Sequence, residues 1–254
     1  IIVVIWLFTS TSWNRDDTYM ERWKLNLAVL WVGTFLTMAG MSMIIPFISL
    51  YIKELGVTDP EAVSVWAGII FAANFVTAFI FQPIWGKLSD RYGRKIMLLR
   101  SGIGMSLVII MMGLAGNVWH LLLLRLINGT VSGYIPAANA LVAATTPRER
   151  SGFAMGTLQS GAVAGSVIGP FMGGLLAGWF GFRVIFFITG SLLLVATLLS
   201  LFIVKENFNK NEAKAAPNVS IWRGFRQIIS FPSILAMYAV TLVTQFALSG
   251  TMPL

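Results

Sequence analysis

Charged side chains divide the sequence into long uncharged intervals: Leu25–Ile52, Ala62–Trp85, Ser101–Trp119, Ser151–Phe182, Val184–Val204 and Gln227–Leu254. A further interval, Leu121–Pro147, is interrupted only by Arg125. A helix of about 18–20 apolar residues crosses the roughly 30 Å hydrocarbon core of a bilayer. The pattern therefore predicts an all-α polytopic membrane protein with six complete spans and a seventh that begins near Ser233.

Short loops join the six spans. A longer polar stretch follows, "KENFNKNEAKAAPNVSIWRGFRQ" at 205–227, rich in the Lys, Glu, Asn and Pro of a linker. Its end, "IWRGFRQIISF", has the pattern of a short amphipathic helix on a membrane surface. Six spans, a basic linker and a new span form the layout of a two-lobed transporter, whose lobes often hold two inverted three-helix repeats. A Gly-to-Pro element in span one (Gly40–Pro46) is echoed in span four (Gly129–Pro136). The opening "IIVVIWLF" is too short to span and lacks a signal peptide's basic n-region, and Met20 resembles a natural start. The expected organisation is an upstream or non-native segment at 1–19, a six-helix N-terminal lobe at 20–204, a linker at 205–232 and the start of a C-terminal lobe, cut short, at 233–254.

Composition agrees: 57% hydrophobic, 11% charged, mean hydropathy +0.80, against about 25% charged residues in soluble domains. The net charge of +8 takes its meaning from position. Fifteen of the 18 Lys and Arg residues fall in the N-terminal segment and the loops after spans two, four and six. Only Lys53 and Arg183 lie on the opposite side, and Arg125 within a span. By the positive-inside rule the N-terminus and the 205–232 loop face the cytoplasm. The basic balance is topological and implies no nucleic-acid partner. With no cysteine, metal cluster, nucleophile–base set or phosphate loop in the sequence, neither an enzyme nor a metal or cofactor site is expected.

"GKLSDRYGRKIML" (86–98) stands between spans two and three. Gly86 and Gly93 permit a tight turn there. Asp90, an acid among five bases, is placed to accept hydrogen bonds or meet a helix N-terminus. In "LLLLRLINGTVSG" (121–133) Arg125 sits about four residues into an apolar helix. Burying it costs roughly 2.5–3.5 kcal/mol on insertion scales, so it must face a cavity or a partner, or snorkel to the interface. In "GAVAGSVIGPFMGG" (161–174) Gly161, Gly165, Gly169 and Gly173 recur every fourth residue, on one helix face. Such a groove lets another backbone approach closely, while Pro170 removes a hydrogen bond and sets a bend beside it.

Gly86, Asp90, Arg91, Gly93, Arg94 and Lys95 match in register the loop signature of the major facilitator superfamily, and the chain resembles that family. Arg125 is similar to the arginine of its helix-four motif, which the resemblance implicates in proton transfer, although Asn128 and Val131 depart from that motif. Gly165, Gly169, Pro170, Gly173 and Gly174, with Gly161 extending the row, resemble the antiporter motif of helix five. Gly40 and Pro46 are similar to a drug-antiporter signature in helix one. The resemblance implies a 12-helix drug:proton antiporter in the cell membrane, bacterial cytoplasmic by type. It would export drug-like molecules in exchange for protons by alternating access. It also implies that the glycine groove seals against a C-terminal lobe this chain lacks.

All ten acidic residues lie outside the predicted spans, and His120 sits at an outer helix end, so the proton-carrying carboxylate is expected in that lobe. Met38, Met41, Asn139 and Gln159 are candidate substrate contacts. The competing readings are a proton-coupled importer of a sugar or metabolite and a non-transporting receptor or assembly subunit.

Overall fold

The computed structural model describes residues 22–208 and 230–250. Expectations for the segment 1–19 and the surface helix at 221–231 fall mostly or wholly outside them. The chain divides into two compact units, Ile1–Asn209 and Lys210–Leu254. The described part of the second holds one helix, α9 (Pro232–Gly250), where the seventh span was expected.

The first unit is built from helices. It comprises α1 (Arg22–Ile44), α2 (Ile48–Glu54), α3 (Pro60–Tyr92), α4 (Arg94–Gly113), α5 (Val118–Val131), α6 (Tyr134–Thr145), α7 (Ser151–Phe180) and α8 (Phe182–Ile203). Six segments of the described chain are long and apolar enough to cross a membrane. The first joins α1 and α2, and the fourth joins α5 and α6. These two composite spans carry the Gly-to-Pro echo. A 3₁₀ turn at Ile45–Phe47, with Pro46 inside it, breaks the first. Ser132, in an extended conformation, and Gly133, at φ +136°, break the fourth. Gapped spans in equivalent places of two repeats are a feature of transporter lobes.

Helix boundaries follow local chemistry more than the charge-free intervals do. Asp59 caps α3, its Oδ2 accepting from the Ala62 N–H at 2.8 Å, with Pro60 at the first helical position. Asn117 caps α5 in the same way through the His120 N–H, at 2.8 Å. The third span is displaced from its expected position. Arg94, Lys95 and Arg100 lie inside α4, and the chain turns between Gly113 and Asn117, before the uncharged interval ends. The loop expected at 86–93 is likewise mostly helix. Gly86 is an α3 residue with open space around it, and the turn is Gly93 alone, at φ +103°.

α1 packs most extensively on α7 and α8, α4 on α8, and α3 on α5. The interior carries a few polar ties. The Tyr51 hydroxyl donates to the Met112 carbonyl at 2.8 Å, Thr189 Oγ1 donates to the Gly40 carbonyl at 3.0 Å, and the Tyr134 and Ser200 hydroxyls lie 3.3 Å apart. α3 and α7 are the least covered spans: Phe79, Val167, Phe171 and Trp179 are 78%, 70%, 69% and 73% exposed. Apolar exposure of that extent is at home against lipid or another helical body.

Candidate functional site

Four spans converge on a cavity of about 60 Å³ that contains Arg125. Met41, Ile44 and Ile45 come from the first span beside its break. Phe71, Asn74 and Phe75 come from α3, Ile109 and Met112 from α4, and Arg125 and Asn128 from α5. Arg125 forms no hydrogen bond with a described residue, and its Nε is buried without a partner. It is half-buried and lines the cavity. The lining holds no acidic side chain.

A buried amide pair stands beside the arginine. Asn128 Nδ2 donates to Asn74 Oδ1 at 2.8 Å, leaving Asn128 Oδ1 unbonded. Sequence reasoning did not single out Asn74, and met Asn128 only as a departure from a motif. Gly129 lets α5 approach α3 here: a Cβ at that position would strike Thr77 Oγ1 and the Asn74 carbonyl. Of the four candidate substrate residues, the fold brings only Met41 to Arg125. Met38 packs toward Gly165, Asn139 lies on α6 outside this lining, and Gln159 is exposed on α7.

The glycine row has a partner inside the unit, which corrects the expectation that it seals against an absent lobe. A Cβ at Gly161 would lie 3.0 Å from Trp31 Nε1, and one at Gly165 2.5 Å from the Phe35 carbonyl oxygen. At Gly169 it would meet the Ala39 carbonyl, and at Gly173 it would lie 2.8 Å from that of Met43. The groove is therefore filled along its length by the α1 backbone. Gly174 is the exception, with only Phe47 nearby, at 3.8 Å. α7 continues as one helix through Pro170. Gly40 serves a similar contact on the other side of α1, where Thr189 Cγ2 would lie 2.8 Å from an added Cβ.

The 86–95 motif lines a second cavity of about 270 Å³, in which Asp90 and Arg94 meet Trp85, Arg100, Ser132 and Gly133. Asp90 is exposed and has no bonded partner among the described residues. The acid that meets the α4 N-terminus is instead Glu206, just past α8. Its Oε1 accepts from the Arg94 N–H at 3.0 Å and its Oε2 from the Lys95 N–H at 2.8 Å. Arg100 stacks on Trp85, 3.6 Å from the ring centre. Arg91 lies 5.7 Å from the Tyr92 ring centre.

Residues 30–254 match the family model of the Major Facilitator Superfamily. The chain is 44% identical over 232 residues to "Multidrug resistance protein MdtG" of Proteus mirabilis (strain HI4320), covering 91% of this chain and 57% of that protein. It is also 44% identical over 236 residues to MdtG of Salmonella paratyphi C (strain RKS4594), with the same coverage. The chain thus spans little more than half the length of these relatives. Among solved structures, that of the human organic anion transporter MFSD10 (TETRAN) superimposes with a TM-score of 0.65 at 17% identity, covering 74% of this chain and 49% of that one. That likeness concerns the fold alone.

Proposed function

The chain belongs to the major facilitator superfamily, and from that premise we propose that it provides the N-terminal lobe of a secondary exporter of small amphipathic molecules. The observation that carries the reading is Arg125. A guanidinium without a bonded partner among the described residues, in a mostly apolar cavity between four spans, is costly unless something that enters the cavity compensates it. In this reading the cavity is one wall of a central site, and alternating access opens it to each side in turn. Export is driven by inward proton flow, with Arg125 responding to the protonation of a carboxylate outside the described residues. The end of the bundle bearing Arg94, Lys95 and Lys205 faces the cytoplasm. The multidrug resistance relatives support a broad substrate range, as does a lining with methionine and phenylalanine, side chains that adapt to different shapes.

The charge of the wall favours amphipathic molecules with an acidic group, since Arg125 is the one charged side chain lining it. The test uses cells expressing the chain fused to the remaining C-terminal length of an MdtG relative. Accumulation of ethidium and of an apolar carboxylate dye is followed with and without a protonophore, beside an Arg125→Ala variant. Export predicts low dye content that rises on adding the protonophore and rises equally in the variant, with the carboxylate dye the more sensitive. Accumulation equal to that of empty cells for both dyes sinks the export reading. Dye uptake above that of empty cells would establish import.

A further inference from the structure

The five residues after α8 leave the bundle by a path fixed at four points. Val204 is buried. Asn26 of α1 forms a reciprocal pair with the Lys205 backbone, its Nδ2 donating to the carbonyl at 2.8 Å and its Oδ1 accepting from the N–H at 3.1 Å. Glu206 bridges the first two free N–H groups of α4, as described above. Phe208 closes over the turn, where its Cγ would lie 3.4 Å from a Cβ at Gly93. In return, Lys95 Nζ donates to the Leu201 carbonyl at 2.8 Å, in the last turn of α8. Acceptors are needed at a helix N-terminus and donors at a C-terminus, and this small crossing satisfies both.

We propose that Val204–Phe208 is a strap built into the six-span unit, and that Glu206 is its positioning residue, holding the Gly93 turn and joining the ends of the first, third and sixth spans. The division of the chain between Asn209 and Lys210 then falls where the strap ends. The motif shared with the superfamily is braced from within its own lobe.

Amide hydrogen exchange of the 254-residue chain in detergent or nanodiscs tests this without any transport assay. In the unaltered chain the Arg94 and Lys95 amides exchange slowly. Glu206→Ala raises both rates about tenfold, as expected for loss of a hydrogen bond to a charged group. Glu206→Gln keeps the shape but turns a donor toward one of the two N–H groups, so it accelerates at least one. A purely steric role would leave the glutamine variant at wild-type rates, and that result overturns the proposal. Two glycines inserted between Val204 and Lys205 draw Glu206 out of register and reproduce the alanine rates. The same insertion between Asn209 and Lys210 leaves the rates unchanged. Equal effects of the two insertions, in chains whose melting shows them folded, would also overturn it.

Discussion

Alanine at Gly165 or Gly169 tests the packing of α7 on α1 most directly. The added Cβ at Gly165 would lie 2.5 Å from the Phe35 carbonyl oxygen and 2.8 Å from the Ala39 nitrogen. Both are backbone atoms on a helix that is itself held by α8, so no rotamer change relieves them. To restore ordinary contact at about 3.4 Å the two helices must separate by roughly 0.9 Å, and a gap of 0.5–1 Å forfeits a quarter to a half of each dispersion contact it opens. Overpacking of this kind costs about 1–3 kcal/mol. Alanine also gains about 1 kcal/mol over glycine in a helix interior, which hides part of the loss. Gly156 and Gly178, on the same helix with nothing within 4 Å of an added Cβ, supply the correction. Gly156→Ala and Gly178→Ala gain the propensity term without the clash, so the difference between the two sets isolates about 1–3 kcal/mol of packing. The assay is reversible unfolding of the solubilised chain, with thermal melting as a faster screen. Gly165→Ala and Gly169→Ala unfold at lower denaturant than Gly156→Ala and Gly178→Ala. Coincident transitions would refute the close approach.

Three further substitutions probe the polar contacts in the bundle. Asn74→Leu and Asn128→Leu each lose about 0.6–1.7 kcal/mol, the range for hydrogen bonds between membrane helices; the double variant loses less than the sum, and a double-mutant cycle with zero coupling would contradict the pair. Trp85→Phe removes the donor to the Thr130 carbonyl at 2.7 Å and weakens the stack with Arg100. It costs about 1 kcal/mol for the hydrogen bond and up to about 1 kcal/mol more for the cation–π contact, read as a lowered melting temperature.

The spans were legible in the sequence because lipid excludes charge, so the uncharged intervals trace most of the helices. Boundaries drifted where that rule has no hold: Arg94, Lys95 and Arg100 are helical at the end of a span, and α4 finishes at Gly113. The glycine row was legible as a groove because every fourth residue shares a face. Its occupant was not, since the complement of a glycine groove is a bare backbone, and Phe35, Ala39 and Met43 carry no pattern that announces one. Glu206 was hidden for a similar reason: a lone acid in a polar linker looks solvated until its distance to the α4 N-terminus is known. Arg125 stood out by its charge alone. Asn74 and Asn128, neutral and 54 residues apart, had no local signal, and Asn139 and Gln159 lie on other faces of the fold.

The break in the fourth span explains why Trp85 and Arg100 stand where they do. Stopping a helix inside the membrane frees carbonyls that water would otherwise bond, and in lipid each must find a protein donor. At the Ser132–Gly133 break the Gly129 carbonyl accepts from the Ser132 hydroxyl at 2.8 Å. The Thr130 carbonyl accepts from the Trp85 indole and the Ser132 carbonyl from Arg100 Nη2, at 2.7 and 3.3 Å. Gly133 then restarts the helix, its carbonyl accepting from the Ala137 N–H at 3.0 Å. The donors come from α3 and α4, the two helices that meet at Gly93, and the stacked Trp85–Arg100 pair gives each the support of the other. The break is thus stable only while α3 and α4 keep their spacing at that turn. Through the strap at Glu206, the same spacing is tied to the start of the linker. A chain of bonded contacts therefore connects residues 204–208, through Glu206, α4 and Arg100, to the discontinuity in the span that carries Arg125.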